Sequence, residues 1–363
     1  MSAGGPLLAL IAVYLLFAGL ESALLWQTGS NRAAVFLTAE NLQKIVINSS
    51  VIGVCALGMT VVIISGGIDL SVGSGVALCA TALACGLKAN WNPWLVMLIT
   101  LLLGALLGAI NGTLVSLLRV VPFIVTLGTM TVYLGAAKLM AEKIDGGQTV
   151  RPAAYSPNDP NFANNQVPVW LQRFTSGRDY ALWPPRFSTP EPSQPRAGWD
   201  ESLDWIRYPS SIWLGALMAL TLAGVLHFTV FGRHLFALGS NEATARLCGV
   251  NVIGTRIAVY TLSGLFVALA GIYQFSRLSS GNPTSGSGLE LRVIAAVVIG
   301  GGSLSGGRGS VMGTLAGAAL MAVIASGCTQ LGVSNSLQDI ILGVIIVAAV
   351  ALDQFRQRRF ASA

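Results

Sequence analysis

Apolar residues in this chain fall into blocks, many of them near 20 residues long, separated by short stretches rich in Gly, Pro, charge and amide side chains. Ten such blocks are read, near 7–26, 46–65, 72–87, 93–118, 122–140, 211–231, 255–273, 292–301, 311–327 and 337–352. A helix needs about 20 apolar residues to cross roughly 30 Å of hydrocarbon, so the pattern predicts an all-α polytopic membrane protein of about ten transmembrane helices. The first block, Leu7 to Trp26, has no Lys or Arg before it and no small-residue cleavage site, and reads as a retained helix. The eighth is too short to cross straight. It lies between Gly- and Ser-rich stretches, which predicts a broken or re-entrant helix lining a protein cavity, because irregular backbone exposed to lipid would leave polar groups unpaired.

Composition agrees. With 53% hydrophobic and 10% charged residues, too little polar surface exists to cover a water-soluble globule of 363 residues. The 21 Lys and Arg against 15 Asp and Glu are spread thinly through loops and form no stripe of the kind that binds nucleic acid. Four of the five cysteines, Cys55, Cys79, Cys85 and Cys328, fall in apolar blocks and Cys248 in a polar loop, with no CxxC pair. Only His227 and His234 are present, so neither a disulfide framework nor a histidine metal centre is expected.

Charge then sets orientation. Arg356, Arg358 and Arg359 follow the last block closely and should stay in the cytoplasm. Counting back from them places Arg119, the 232–254 loop with Arg233 and Arg246, and Arg308 inside, with both termini inside. Three regions result: a first membrane half (1–142), an external loop (143–210) and a second membrane half (211–363). The loop holds ten of the fourteen prolines, four of the eight tryptophans, and seven basic against seven acidic residues. It reads as an irregular external cap, with a partner-docking surface as the sharper alternative.

Ile63 to Gly86 and Val298 to Gly327 resemble one another, each placing a Gly/Ser break ahead of a small-residue helix, as duplicated transporter halves do. Gly104, Gly108 and Gly112 have the spacing that lets helices approach closely in lipid. Asp69, in SGGIDLS at 65–71, is the one carboxylate near the end of a long apolar run. At mid-bilayer it would cost about 2.5–3.5 kcal/mol, so it either serves a pathway or caps the next helix through the 71–74 amides. Ser303 to Gly307 imitates the LSGG signature of ABC ATPases, but no GxxxxGK[ST] loop accompanies it, and the glycines predict a tight turn instead. No nucleophile, base and orienting group assemble, so the chain is not expected to be an enzyme.

The most informative polar segment is FGRHLFALGSNEATARLCGVN at 231–251. Ser240 or Asn241 can cap a helix, Glu242 suits its first turn, Arg246 its last, and Gly249 its termination. A two-turn helix alone is marginal in water and should need a packed surface, its own protein or a soluble partner.

At this point the chain resembles the ribose/xylose/galactose class of ABC importer permeases over 41–142 and 211–352. The likeness rests on LGMTVVIISGGIDLSVGS (57–74), NGTLVSLLRVVPFIVTLGTM (111–130), FGRHLFALGSNEATARLCGVNV (231–252) and RLSSGNPTSGSGLELRVIAAVVIGGGSLSGGRGSVMGT (277–314). It implies a non-catalytic subunit of the bacterial inner membrane that moves a monosaccharide or similar polyol. It pairs with a second permease, identical or paralogous, with two ATPases that bind the ATP and Mg, and with a periplasmic or lipid-anchored sugar-binding protein. No cofactor on this chain itself is implied. Gly239, Asn241, Glu242, Ala243, Arg246 and Gly249 match the ATPase-coupling region. Gly66, Gly67, Asp69, Ser71, Asn111, Thr126, Glu290, Gly300 and Gly301 are pathway or hinge candidates. Two departures are the length of 143–210 and Arg292, which stands where many relatives are acidic. The competing reading is an ion-coupled secondary transporter of a small polar solute, which would need Asp69 to titrate.

Overall fold

The computed structural model describes residues 4–27, 34–146, 149–153, 166–175, 209–334, 336–345, 347–348 and 351. The Arg356–Arg359 cluster and most of the 143–210 loop, including Trp183, Trp199 and Trp205, lie outside them. Thirteen helices are named here: α1 (Gly4–Gln27), α2 (Ala39–Ile64), α3 (Val72–Lys88), α4 (Pro93–Leu118), α5 (Pro122–Asp145), α6 (Val169–Arg173), α7 (Ser210–Phe228), α8 (Val230–Ser240), α9 (Glu242–Leu247), α10 (Val252–Leu278), α11 (Leu289–Ile299), α12 (Val311–Gln330) and α13 (Ser336–Ile345). Among the described residues the chain is all-helical, and seven helices (α1, α2, α4, α5, α7, α10 and α12) are long and apolar enough to span a membrane. The other three predicted blocks fall on α3, α11 and α13, which are shorter.

Burial sorts the helices. α2, α3, α10, α11 and α12 form the centre, where Leu57, Met59, Val76, Tyr260, Phe266 and Val297 are buried. In α3 every residue except Ala82 and Lys88 is buried, which explains why it carries small residues on all sides. In α1 only Ala18 is buried, and the outer faces of α4, α5 and α7 expose Leu102, Leu106, Ile124, Val132 and Leu220, a surface suited to lipid tails.

Glycine sets the closest crossing. Gly104, Gly108 and Gly112 of α4 lie against Gly264, Tyr260 and Ile257 of α10, and a Cβ at Gly108 would run into the Tyr260 carbonyl. The predicted small-residue packing is thus the α4–α10 seam.

Two breaks interrupt the central helices. After α2, Gly66 takes φ +80° before α3 begins; after α11, Gly301 takes φ +92° before the 300–310 turn leads to α12. Both meet at one end of the bundle, called the α9 end, where the Gly307 amide donates to the Ile64 carbonyl at 2.8 Å. The opposite, α6 end is covered by pieces of the long loop. Val150 pairs with Gly281 as an antiparallel bridge, Gln166 Nε2 donates to the Lys88 carbonyl at 3.0 Å, and Trp170 stacks on Trp94 at 4.6 Å. Val150, Val167 and Leu171 are buried there against α3 and α10, so the described part of the loop behaves as a cap.

Candidate functional site

At the α9 end, α8 turns into α9 through Asn241, whose extended backbone and side chain cap the helix: Oδ1 accepts from the Thr244 amide at 2.9 Å. The cap is Asn241, while Ser240 closes α8 by donating to the Phe236 carbonyl. Gly249, at φ +84°, takes the left-handed conformation that ends the short helix. Glu242 bridges two cations, Arg246 one turn on at 3.1 Å and Arg256 at the start of α10 at 2.6 Å. Arg256 was not foreseen; fourteen residues and a loop separate it from Glu242, so no local spacing predicted the pair. Leu247 was also missed. It is 89% exposed on α9, more than any other large apolar side chain among the described residues. Ala243 is exposed as well, whereas Ala245 is buried.

Gly239 roots this segment in the bundle. A Cβ there would strike the Ile64 carbonyl oxygen and lie 2.6 Å from the Gly307 amide nitrogen. α8 therefore touches both helix breaks at once, backbone against backbone.

The pathway or hinge candidates are gathered at the first break and around the second. Asp69 is 3% exposed, and its Oδ1 accepts the Ser71 amide at 2.9 Å and the Ser71 hydroxyl at 2.6 Å. Asn111 Nδ2 donates to Ser71 Oγ at 2.8 Å, and Tyr133 shares its hydroxyl proton between Asn111 Oδ1 and the Leu107 carbonyl. Thr126 and Tyr260 hydroxyls point to the Ile68 carbonyl. Asp69 thus closes a local turn onto Ser71, the residue that precedes α3, and bonds none of the helix's own amides; the turn belongs to a buried network that also takes in α4 and α5. Gly67 lies against the Tyr260 hydroxyl, Gly300 against Gly313, and Glu290 accepts from the Gly288 amide at 3.2 Å in front of α11.

None of these candidates lines the larger cavity. That space, about 950 Å³, opens toward the α6 end between α1, α2, α10, α11 and α12. Its wall carries Asn41, Lys44, Asn48, Gln274, Arg277, Ser285, Ser287, Arg292, Ser326, Thr329 and Gln330, a dense set of donors and acceptors for a lipid-embedded bundle. Asn41 Oδ1 accepts from Ser326 and from Gln330, fixing α2 to α12 at the rim, and Arg292 pairs with Asp339 at 3.3 Å. Sequence alone hid the cavity because its polar residues are scattered over the ends of several helices and the loop before α11, far apart along the chain.

A family model described as "Branched-chain amino acid transport system / permease component" matches residues 41–350. The chain belongs to that family. Among curated proteins, the ribose import permease protein of Escherichia coli K12 is 37% identical, covering 89% of this chain and 88% of its own length. The xylose transport system permease protein of the same organism is 34% identical, covering 96% and 93%. The ribose import permease protein of Bacillus subtilis is 34% identical, covering 88% and 86%. No solved structure matches. Family membership and seven apolar spans together make the chain a multi-pass membrane permease component.

Proposed function

We propose that this chain is the membrane subunit of an ATP-driven importer in a bacterial inner membrane, carrying a monosaccharide or similar polyol. The observation that carries the reading is likeness along nearly the whole length to permeases named for ribose and xylose import. The cavity supports the substrate class: uncharged hydroxyl and amide groups such as Asn48, Gln274, Ser285 and Ser287 suit a sugar, which offers hydroxyls on every side. The α9 end faces the cytoplasm in this reading and the α6 end faces the binding protein that delivers the sugar.

The geometry supports a route for energy coupling. α9 presents Leu247, Ala243 and Arg246 outward as a knob for a cytoplasmic ATPase that holds the ATP and Mg. Because Gly239 of α8 is wedged between Ile64 and Gly307, a displacement of α9 pushes on both helix breaks. Asp69, Ser71, Asn111 and Thr126 then act as hinge residues around the first break, and Glu290, Gly300 and Gly301 around the second, turning ATPase closure into alternating access. The chain makes and breaks no bond itself. A second permease copy or a paralogue completes the pathway.

The test is affinity purification of the tagged chain from its own membranes, as wild type, Leu247→Asp and Glu242→Lys, identifying any ATPase that comes down with it. Leu247 is 89% exposed, so Leu247→Asp should lose the ATPase while the permease keeps its thermal midpoint. If both variants retain the ATPase and uptake of labelled ribose or xylose proceeds without ATP, the ion-coupled reading replaces this one. Asp69→Asn should then abolish uptake.

A further inference from the structure

A second cavity, about 500 Å³, lies at the α9 end between the α4–α5 turn and the α9–α10 segment. Three guanidinium groups line it, those of Arg119, Arg246 and Arg256, with a single carboxylate, Glu242, which is already engaged by two of them. Arg119 makes no ion pair or hydrogen bond among the described residues, and Ser116 adds a buried hydroxyl that has no partner there. The pocket thus carries a net excess of two positive charges and spare donors, the demand of an anion.

We propose that this pocket holds the headgroup phosphate of an anionic glycerophospholipid in the leaflet adjoining α9. The surroundings select lipid over a soluble anion or an acidic partner surface. Leu117, Leu118, Val121, Phe123 and Ile124 stand exposed beside the arginines on the α4–α5 turn, offering an apolar track for acyl chains. Basic pockets between helices at a cytoplasmic membrane face take phosphate headgroups in this manner, with guanidinium forks matching phosphate oxygens. Occupancy would tie the α4–α5 turn to Arg246 and Arg256, clamping α9 against the bundle whether or not an ATPase is bound. The inference rests on the chain being a membrane protein and not on its substrate or its coupling partner.

Arg119 sits at φ +53°, a conformation that Asn tolerates well, so Arg119→Asn removes the charge without straining the turn. The full-length chain in neutral detergent is titrated with dioleoyl phosphatidylglycerol, dioleoyl phosphatidylcholine or inorganic phosphate, reading the thermal midpoint and lipid adducts by native mass spectrometry. Phosphatidylglycerol alone should stabilise the wild type and remain bound. Arg119→Asn should weaken that affinity about fivefold, as loss of one arginine near an anionic headgroup implies. Arg246→Gln should act in the same direction, and Arg233→Gln, an equal charge loss on α8 outside the pocket, should leave binding unchanged. The proposal is overturned if phosphatidylcholine or inorganic phosphate stabilises equally. It is overturned too if Arg119→Asn and Arg246→Gln both bind like wild type, or if Arg119 matters only once the ATPase is added.

Discussion

At the α9 end of the bundle three backbone segments meet through Gly239, Ile64 and Gly307 with no room for a side chain, while at the α6 end helix tips stand apart around a cavity of about 950 Å³. Close-packed backbone transmits displacement, whereas a polar cavity admits a solute and lets its walls separate. Under the proposed function, the contrast would make one subunit stiff at the end that meets the ATPase and open at the end that takes the sugar. It also predicts that single substitutions will fail differently at the two ends.

The largest effect is expected for Gly239→Val, which drives a branched side chain into the Ile64 carbonyl. Overpacking against backbone should cost at least about 3 kcal/mol, seen as loss of monodisperse protein on size exclusion. A wild-type-like profile would mean that the α9 end is looser than its geometry. Next comes Asn111→Leu, which removes one partner each from the Ser71 and Tyr133 hydroxyls and leaves them only Asp69 and the Leu107 carbonyl. A drop of about 2 kcal/mol in denaturant titration is expected, and no drop would remove the network from the list of fixed points.

At the α6 end the effects should be smaller. Trp170→Ala removes a stacked pair with Trp94 and should cost about 1 kcal/mol while leaving ATPase co-purification intact. Gln274→Ala, in the cavity wall, should change the thermal midpoint negligibly but raise the KM for sugar uptake several-fold. The smallest effect has the opposite sign. Gly135 of α5 is half-buried but has nothing near its missing Cβ, so Gly135→Ala should stabilise by about 0.5–1 kcal/mol in the same denaturant titration. A loss there would show that a second subunit packs on α5.

Much of the local design was legible. The ten apolar blocks fall on helices, the Gly/Ser stretch after the eighth is a turn with Gly301, Gly306 and Gly307 at positive φ, and Asn241 and Gly249 begin and end α9. Asp69 was narrowed to two roles, a pathway group or a helix cap; the structure shows it bonded to Ser71 just ahead of α3, short of the helix amides. Leu247 escaped because one Leu in a polar loop carries no periodic signal, and only its exposure in the folded chain marks it out. The Glu242–Arg256 pair and the Asn111–Tyr133 contact escaped because each joins residues on different helices.

The sequence by itself determined where helices lie and that lipid surrounds them, because a run of apolar residues long enough to cross the bilayer must satisfy its backbone internally wherever it sits in the fold. The tertiary structure alone decided which glycines meet backbone, as Gly239 meets Ile64 and Gly307, and which polar residues, scattered over helix ends and a loop, line one space. Those depend on the rotation and depth of each helix against its neighbours, and these are fixed by packing between positions such as Thr60 and Thr314, whose hydroxyls lie 2.7 Å apart across 254 residues of chain.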